Sequence, residues 1–316
     1  MKKQVLVLAL LYCCLIGFAK NKRPINYRFH KNDTINILIA KENDSIKNTS
    51  RLQIVVLEAK GTKAVMKFTS FADLDGVESR MKNPKYSFIQ DKERLFDKLQ
   101  SIALSSITPI IRFENGKPKS MVNFKEVKDS TLVMVDKVFS LYSKHLNPDS
   151  LKASKTKVDS TMLMVKKILK PMIEEFMTEE MMLSEYSNIV QHDLPQKTGK
   201  WSETKEGATM QCSLTATQNA GEYEYYNVAK TNLNGDELKD SQLKDNPALE
   251  VYTAMGVFGK MALAFMDSLS IETTTNGVIY SNGIPKHLVK EIRTSISMMG
   301  KKKESTEKVT ISVIDK

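Results

Sequence analysis

Four histidines, His30, His145, His192 and His287, and Cys212 are the side chains of this 316-residue chain best suited to metal binding or nucleophilic attack. A transition-metal site needs such groups gathered, as in two histidines one turn apart on a helix or a Cys/His cluster. Here they sit in separate segments, so no metal is expected. Glu175 and Glu179 stand one helical turn apart, as carboxylate ligands do in a helical bundle, but no Glu-x-x-His accompanies them and they read as solvated charges. Ser241-Gln242-Leu243-Lys244 fits Ser-x-x-Lys, yet falls in a polar linker rather than at a helix start. The chain has no Gly-rich phosphate loop, no Gly-x-Ser-x-Gly elbow and no dinucleotide fingerprint. No catalytic residue and no cofactor follow from the sequence, and the expected function is non-enzymatic. A hydrolase built on Asp and Glu residues that spacing cannot pair is the enzymatic alternative.

The chemistry that does stand out is soft and apolar. Six of the 17 methionines, Met162, Met164, Met172, Met177, Met181 and Met182, fall between positions 160 and 190. Thioether side chains are flexible and polarisable, and suit adaptable apolar surfaces as well as irregular core gaps. Met162, Met172, Met177 and Met181 are therefore candidate contacts for a lipid or another hydrophobic small molecule, against the plainer expectation of core packing. Trp201, the single tryptophan, is expected to anchor a strand in the core and is a candidate stacking partner for such a ligand. Cys212 lies in the alternating run Thr209–Leu214, where a thiol acts as a small hydrophobe.

Composition and the amino terminus set the compartment. With 41% hydrophobic and 27% charged residues, the chain has the make-up of a globular protein. Met1-Lys2-Lys3, the uncharged apolar run Val5–Phe18 and the small residues around Ala19 form a secretory signal peptide over residues 1–19. The apolar run is too short for a membrane-spanning helix, which needs about 20 residues. Tyr12 and Cys13, preceding Cys13 and Cys14, disfavour lipoprotein processing. Cleavage after Ala19 leaves Cys212 as the only cysteine, so no internal disulfide forms. An exported chain without disulfides points to a bacterial envelope, periplasmic or associated with the outer envelope. Without Lys2 and Lys3 the balance is 45 basic to 37 acidic residues, a net charge of +8. The single basic run, Lys301–Lys303, suits a hairpin loop rather than a nucleic-acid surface.

The elements that must position these residues show an apparent repeat. Ser101–Val122 matches Ser268–Val289 without gaps, and both contain Asn-Gly-x-Pro-Lys. Asn83-Pro84 and Asn246-Pro247 are helix starts, asparagine capping and proline at the first helical position. Asn115-Gly116 and Asn282-Gly283 predict type I′ hairpins. Upstream, period-two alternation predicts strands over 52–59 and 64–71 in one half and 209–217 and 222–228 in the other. Tyr27–Ile39 and Val309–Ile314 alternate as well. Helices are expected over 124–146 and 160–190, the second kinked or split at Pro171. The expected fold is α+β: a strongly curved antiparallel sheet, an open half-barrel built from two similar halves, with helices on one face. Residues 20–316 form one domain, with halves at about 25–145 and 194–316 joined by helices within 124–190.

Tyr27-x-Phe29-x-Lys31-Asn32-Asp33, the Asn246-Pro247 helix start, Leu194-Pro195 before Gly199-x-Trp201, and the closing strand, Asn-Gly, strand pattern together resemble an uncharacterised family of exported bacterial envelope proteins. Their plan is similar to that of the lipoprotein-carrier proteins of the periplasm, in which an open half-barrel surrounds helices. The resemblance implies an apolar or amphipathic, lipid-like ligand bound within the half-barrel and names no catalytic residue. The alternative is a structural or protein-interaction module of the envelope, with a solid core and a protein partner.

Overall fold

The structure, a computed structural model, describes residues 24–314 apart from 44–45, 72–76, 79–80, 105–106, 150, 153–154, 188, 193, 195–196, 206–207 and 237–265. Residues 1–19, read above as a signal peptide, Ser241–Lys244, and Asn246-Pro247 with the helix expected after it lie outside the described residues.

Alternating apolar residues build one eleven-stranded antiparallel sheet. Its strands are β1 (Thr34–Asn43), β2 (Ile46–Lys60), β3 (Lys63–Phe71), β4 (Ile110–Glu114), β5 (Lys117–Met121), β6 (Gly199–Lys205), β7 (Ala208–Ala216), β8 (Glu222–Asn234), β9 (Met266–Tyr280), β10 (Pro285–Met298) and β11 (Lys301–Val313). Their spatial order is β5-β4-β3-β2-β1-β11-β10-β9-β8-β7-β6. Every pair of neighbours is consecutive in the chain except β1 and β11, which join in the middle of the sheet through Ile37↔Val313 to Asn43↔Glu307. The sheet is open, with β5 and β6 as its terminal strands.

Among the described residues four α-helices accompany the sheet: α1 (Lys92–Leu104), α2 (Phe124–His145), α3 (Lys155–Phe176) and α4 (Glu179–Ser187). Asn83 and Pro84 start a helix as expected, the Asn83 side chain accepting a hydrogen bond from the Lys85 amide at 2.9 Å. That helix is a single 3₁₀ turn, Pro84–Tyr86, and α1 begins separately at Lys92. Pro171 does not divide the second long helix: α3 runs through it, and the break falls at Met177 and Thr178. Glu175 and Glu179 therefore belong to different helices.

The core lies on one face of the sheet. In β3, Ala64, Met66 and Phe68 are buried while their neighbours are not, and β4 adds Ile111 and Phe113. Phe68 is sealed between Phe113, at 5.8 Å between ring centroids, and Tyr186 of α4, at 4.8 Å. Burying a phenylalanine this completely makes its truncation to alanine cost about 3–5 kcal/mol. Edge strand β5 is covered: α4 packs on it, and the Glu179 carboxylate accepts a hydrogen bond from the Met121 amide at 2.7 Å.

One end of the sheet is plugged by the segment that precedes β1. Ile25, Tyr27 and Phe29 are buried there with Ile189 and Val190 from the connection to β6. The Asn26 amide donates to the Ser281 carbonyl at 2.7 Å, and the Leu194 amide donates to the Tyr27 hydroxyl at 3.4 Å. The Tyr27 ring lies against both Asn-Gly turns: a Cβ on Gly116 would overlap its Cε1 atom, and one on Gly283 would come within 3.0 Å of the same atom. Between β4 and β10 the sheet contains five strand pairings, about 24 Å if flat at ~4.8 Å each. For both turns to meet one ring edge, this end of the sheet has to bend round on itself.

The two turns differ in kind. Asn115 and Gly116, at φ 52° and 78°, form the expected type I′ turn. At the second, only Gly283 has positive φ, 85°, and the Gly283 amide donates to the Tyr280 carbonyl at 2.9 Å. This is a three-residue loop ending in a glycine bulge, not type I′. The 167-residue match also sets Ser101–Leu104 of helix α1 against Ser268–Ile271 of strand β9, so its two copies agree in conformation only towards the hairpins. Lys301–Lys303 begin β11 itself; the loop before them is Met299-Gly300, at φ 51° and 73°.

Gly116→Ala is expected to destabilise by about 2 kcal/mol or more, from left-handed strain plus the Tyr27 overlap. Denaturant unfolding of Gly116→Ala, Tyr27→Ala and the double variant would check it: the cost of Gly116→Ala should fall in the Tyr27→Ala background.

Candidate functional site

The helices α1 and α2 meet along a small apolar seam and then part. Met81, Ile89 and Leu95 are buried in it, with Leu99, Leu141 and Tyr142 packed around them. Beyond Leu99 the two helices hold a cleft made of two adjoining cavities. The first, about 490 Å³, is lined by Ile102, Ile107, Val127, Val133 and Met134, with Glu126, Asp129 and Lys137 among its polar residues. The second, about 450 Å³, follows further along α2, with Ile102, Val133 and Leu141 as its apolar wall and Lys98, Asp136 and Lys137 as its charged groups. Ile102, Val133 and Lys137 line both. Each volume is in the usual range of small-molecule sites, while polar and charged side chains make up more than half of each lining, a more polar make-up than such sites usually have.

Asp136 ties the cleft to α3. Its Oδ1 lies 3.1 Å from Lys166 Nζ and its Oδ2 accepts a hydrogen bond from Lys170 Nζ at 2.8 Å. These two bonds, Lys170's first and Lys166's second, hold the Asp136 carboxyl below the usual carboxylate range. The charge of Asp136 is thereby balanced from α3.

The methionines of the sequence analysis are dispersed. In α3, which packs on α2, Met162 is half-buried and Met164 is 64% exposed, close to exposed Leu163 and Ile168. The side chain of Met172 lies outside the described residues. Met177 is half-buried in the break between helices, and Met181 in α4 is 44% exposed while its neighbour Met182 packs on the core. Trp201, in β6 opposite Cys212, packs half-buried against the core. Neither the four methionines nor Trp201 lines the α1–α2 cleft.

Cys212 is buried, and its Sγ donates a hydrogen bond to Asn227 Oδ1 at 3.2 Å. Burial pushes its thiol up to about 11, with Glu203 adding to the shift, so it is a protonated core residue at neutral pH. The same cause, burial, raises Tyr186 and Tyr225 to about 12. The histidines are scattered: His30 pairs with Asp33 in the plug, His145 ends α2, His192 precedes β6, and His287 meets Ser312 Oγ at 2.8 Å on β10. Among the described residues no three His, Cys, Asp or Glu side chains gather as metal ligands, and no helix is long and apolar enough to cross a membrane.

The cleft residues were not singled out by sequence. Val133 carried the available signal: an apolar side chain 53% exposed on a helix, which only the fold reveals. No family model matches the chain, and no curated protein matches it.

Two outcomes test these assignments. The depressed Asp136 pKa adds stability above the ordinary aspartate range, near pH 3.9, and loses it as pH falls through the lower folded value. Thermal unfolding of wild type and Asp136→Asn should therefore differ at pH 7 and converge in acid. Iodoacetamide should label Cys212 only after unfolding, as mass spectrometry would record with and without denaturant.

Proposed function

We propose that this is an exported, non-enzymatic protein of the bacterial envelope that binds an apolar or amphipathic, lipid-like ligand. The observation that carries the reading is the α1–α2 cleft, two adjoining cavities in which apolar side chains from both helices meet charged groups. Such a lining suits a molecule with a hydrocarbon part and a polar part, each meeting its own kind of surface. The open sheet, bent round at its plugged end, supports a half-barrel similar in plan to periplasmic lipoprotein carriers. Export rests on the composition of residues 1–19. Helix α3 is tied to the cleft through the Asp136 bridge and carries the candidate residues Met162 and Met172, whereas Met177 and Met181 lie in the break after it and in α4.

We also read the two wings of the sheet as copies of one unit. Each is strand, strand, insertion, strand, strand, and both progress in the same direction across the sheet, β2 to β5 and β7 to β10.

A second reading, a protein-interaction module, draws on Leu163, Met164 and Ile168, exposed by 54%, 64% and 52% on successive turns of α3. A large apolar group left in water on one helix face is a usual mark of a docking surface.

Native mass spectrometry of residues 20–316, exported to a bacterial periplasm and purified without detergent, separates them. The ligand reading predicts an added mass that extracts into organic solvent and is lost in Val133→Asp, with the circular dichroism spectrum unchanged. A bare mass that gains nothing from added lipid would favour the interaction module.

A further inference from the structure

The charges along the cleft are arranged in order, and that order selects among amphiphiles. Glu126 and Asp129 line only the cavity beside the first half of α2 and Lys98 only the cavity beside its second half, with Lys137 at the border, lining both. The carboxylate in that second cavity, Asp136, is neutralised from behind by Lys166 and Lys170. Lys98 and Lys137 themselves are exposed and form no ion pair among the described residues. A ligand in the second cavity thus meets two uncompensated ammonium groups over an apolar wall of Ile102, Val133 and Leu141. The acidic pair at the far end repels a negative head and so orients the molecule.

We propose that the ligand of this cleft is a single-chain anionic amphiphile of the fatty-acid class, its carboxylate held by Lys98 and Lys137 and its chain laid along Ile102, Val133 and Leu141. The proposal rests on the ligand-binding reading above and adds the sign of the head group and its place. Charge complementarity is its ground: a cationic head would face repulsion from the lysines, and a neutral one would gain no charge-assisted bond from them.

Calorimetric titration of residues 20–316 with dodecanoate, dodecanol and dodecylamine, each below its micellar concentration, tests it. Dodecanoate should bind about tenfold more tightly than dodecanol, and dodecylamine most weakly. Lys98→Gln/Lys137→Gln should remove that preference without changing thermal unfolding, since both side chains are exposed, and Lys98→Arg/Lys137→Arg should keep it. Equal binding of dodecanoate and dodecanol, or a preference for dodecylamine, would overturn the anionic head while leaving an amphiphile site. A dodecanoate preference that survives Lys98→Gln/Lys137→Gln would overturn its placement. If none of the three binds, the ligand reading fails with it.

Discussion

The fold turns on a contact between one aromatic ring and two residues that have no side chain. Tyr27 lies where the β4–β5 and β9–β10 turns converge, and glycine at 116 and 283 is what lets the ring sit so close to both backbones. Because those turns belong to opposite wings of the sheet, the contact links regions that strand pairing joins only through β1 and β11. Around it the Asn26 amide bonds to the Ser281 carbonyl, and the Gln191 amide to the Gly283 carbonyl at 2.8 Å. A stretch with no regular secondary structure thus satisfies backbone groups of the second turn while burying Ile25 and Phe29. Buried irregular backbone is tolerated only when its polar groups are paired in this way.

With the plug in place, sheet and helices are packed to different degrees. The inner face of the sheet is filled at its plugged end by its own side chains, by the plug and by α4, whose Tyr186 covers Phe68. Helices α1 to α3 are held more lightly: α1 and α2 share a small seam, and α3 is fastened to α2 partly by charge, through Asp136. Close packing leaves few voids, so unfilled volume collects where elements meet at an angle and few residues interlock. The cleft lies there, between α1 and α2 within the lighter helical layer.

The sheet was legible in the sequence because its signals are local. Alternation at Ala64, Met66 and Phe68 gives the period and the buried face, and Asn115-Gly116 gives the turn and its type. The pairing of β1 with β11 has no local signal, yet two alternating segments, 27–39 and 309–314, overlap both partners, although the first half of 27–39 forms the irregular plug and the strand begins only at Thr34. Three things were hidden. The Asn282-Gly283 pair is locally identical to Asn115-Gly116, but the contacts of Ser281 and Ile284 draw it into a longer loop. Proline 171 fits within a helix that Thr178 then ends, so the strongest breaker in the segment was not the one that broke it. The cleft was hidden because it is a gap between helices distant in sequence, whereas methionine content is visible without a fold. A run of similar residues reports composition; a site reports geometry.

The covering of β5 by α4 has a consequence for self-association. A sheet with two bare margins can add copies at both and grow without limit. Here the Met121 amide at one margin is already occupied by Glu179, and the helix stands in the path of an incoming strand. Among the described residues, pairing between copies is left to β6 at the other margin, and two such strands brought together use each other up. Stoichiometry is thereby capped: strand exchange through this sheet would end at a closed pair, with no free margin from which a filament could extend.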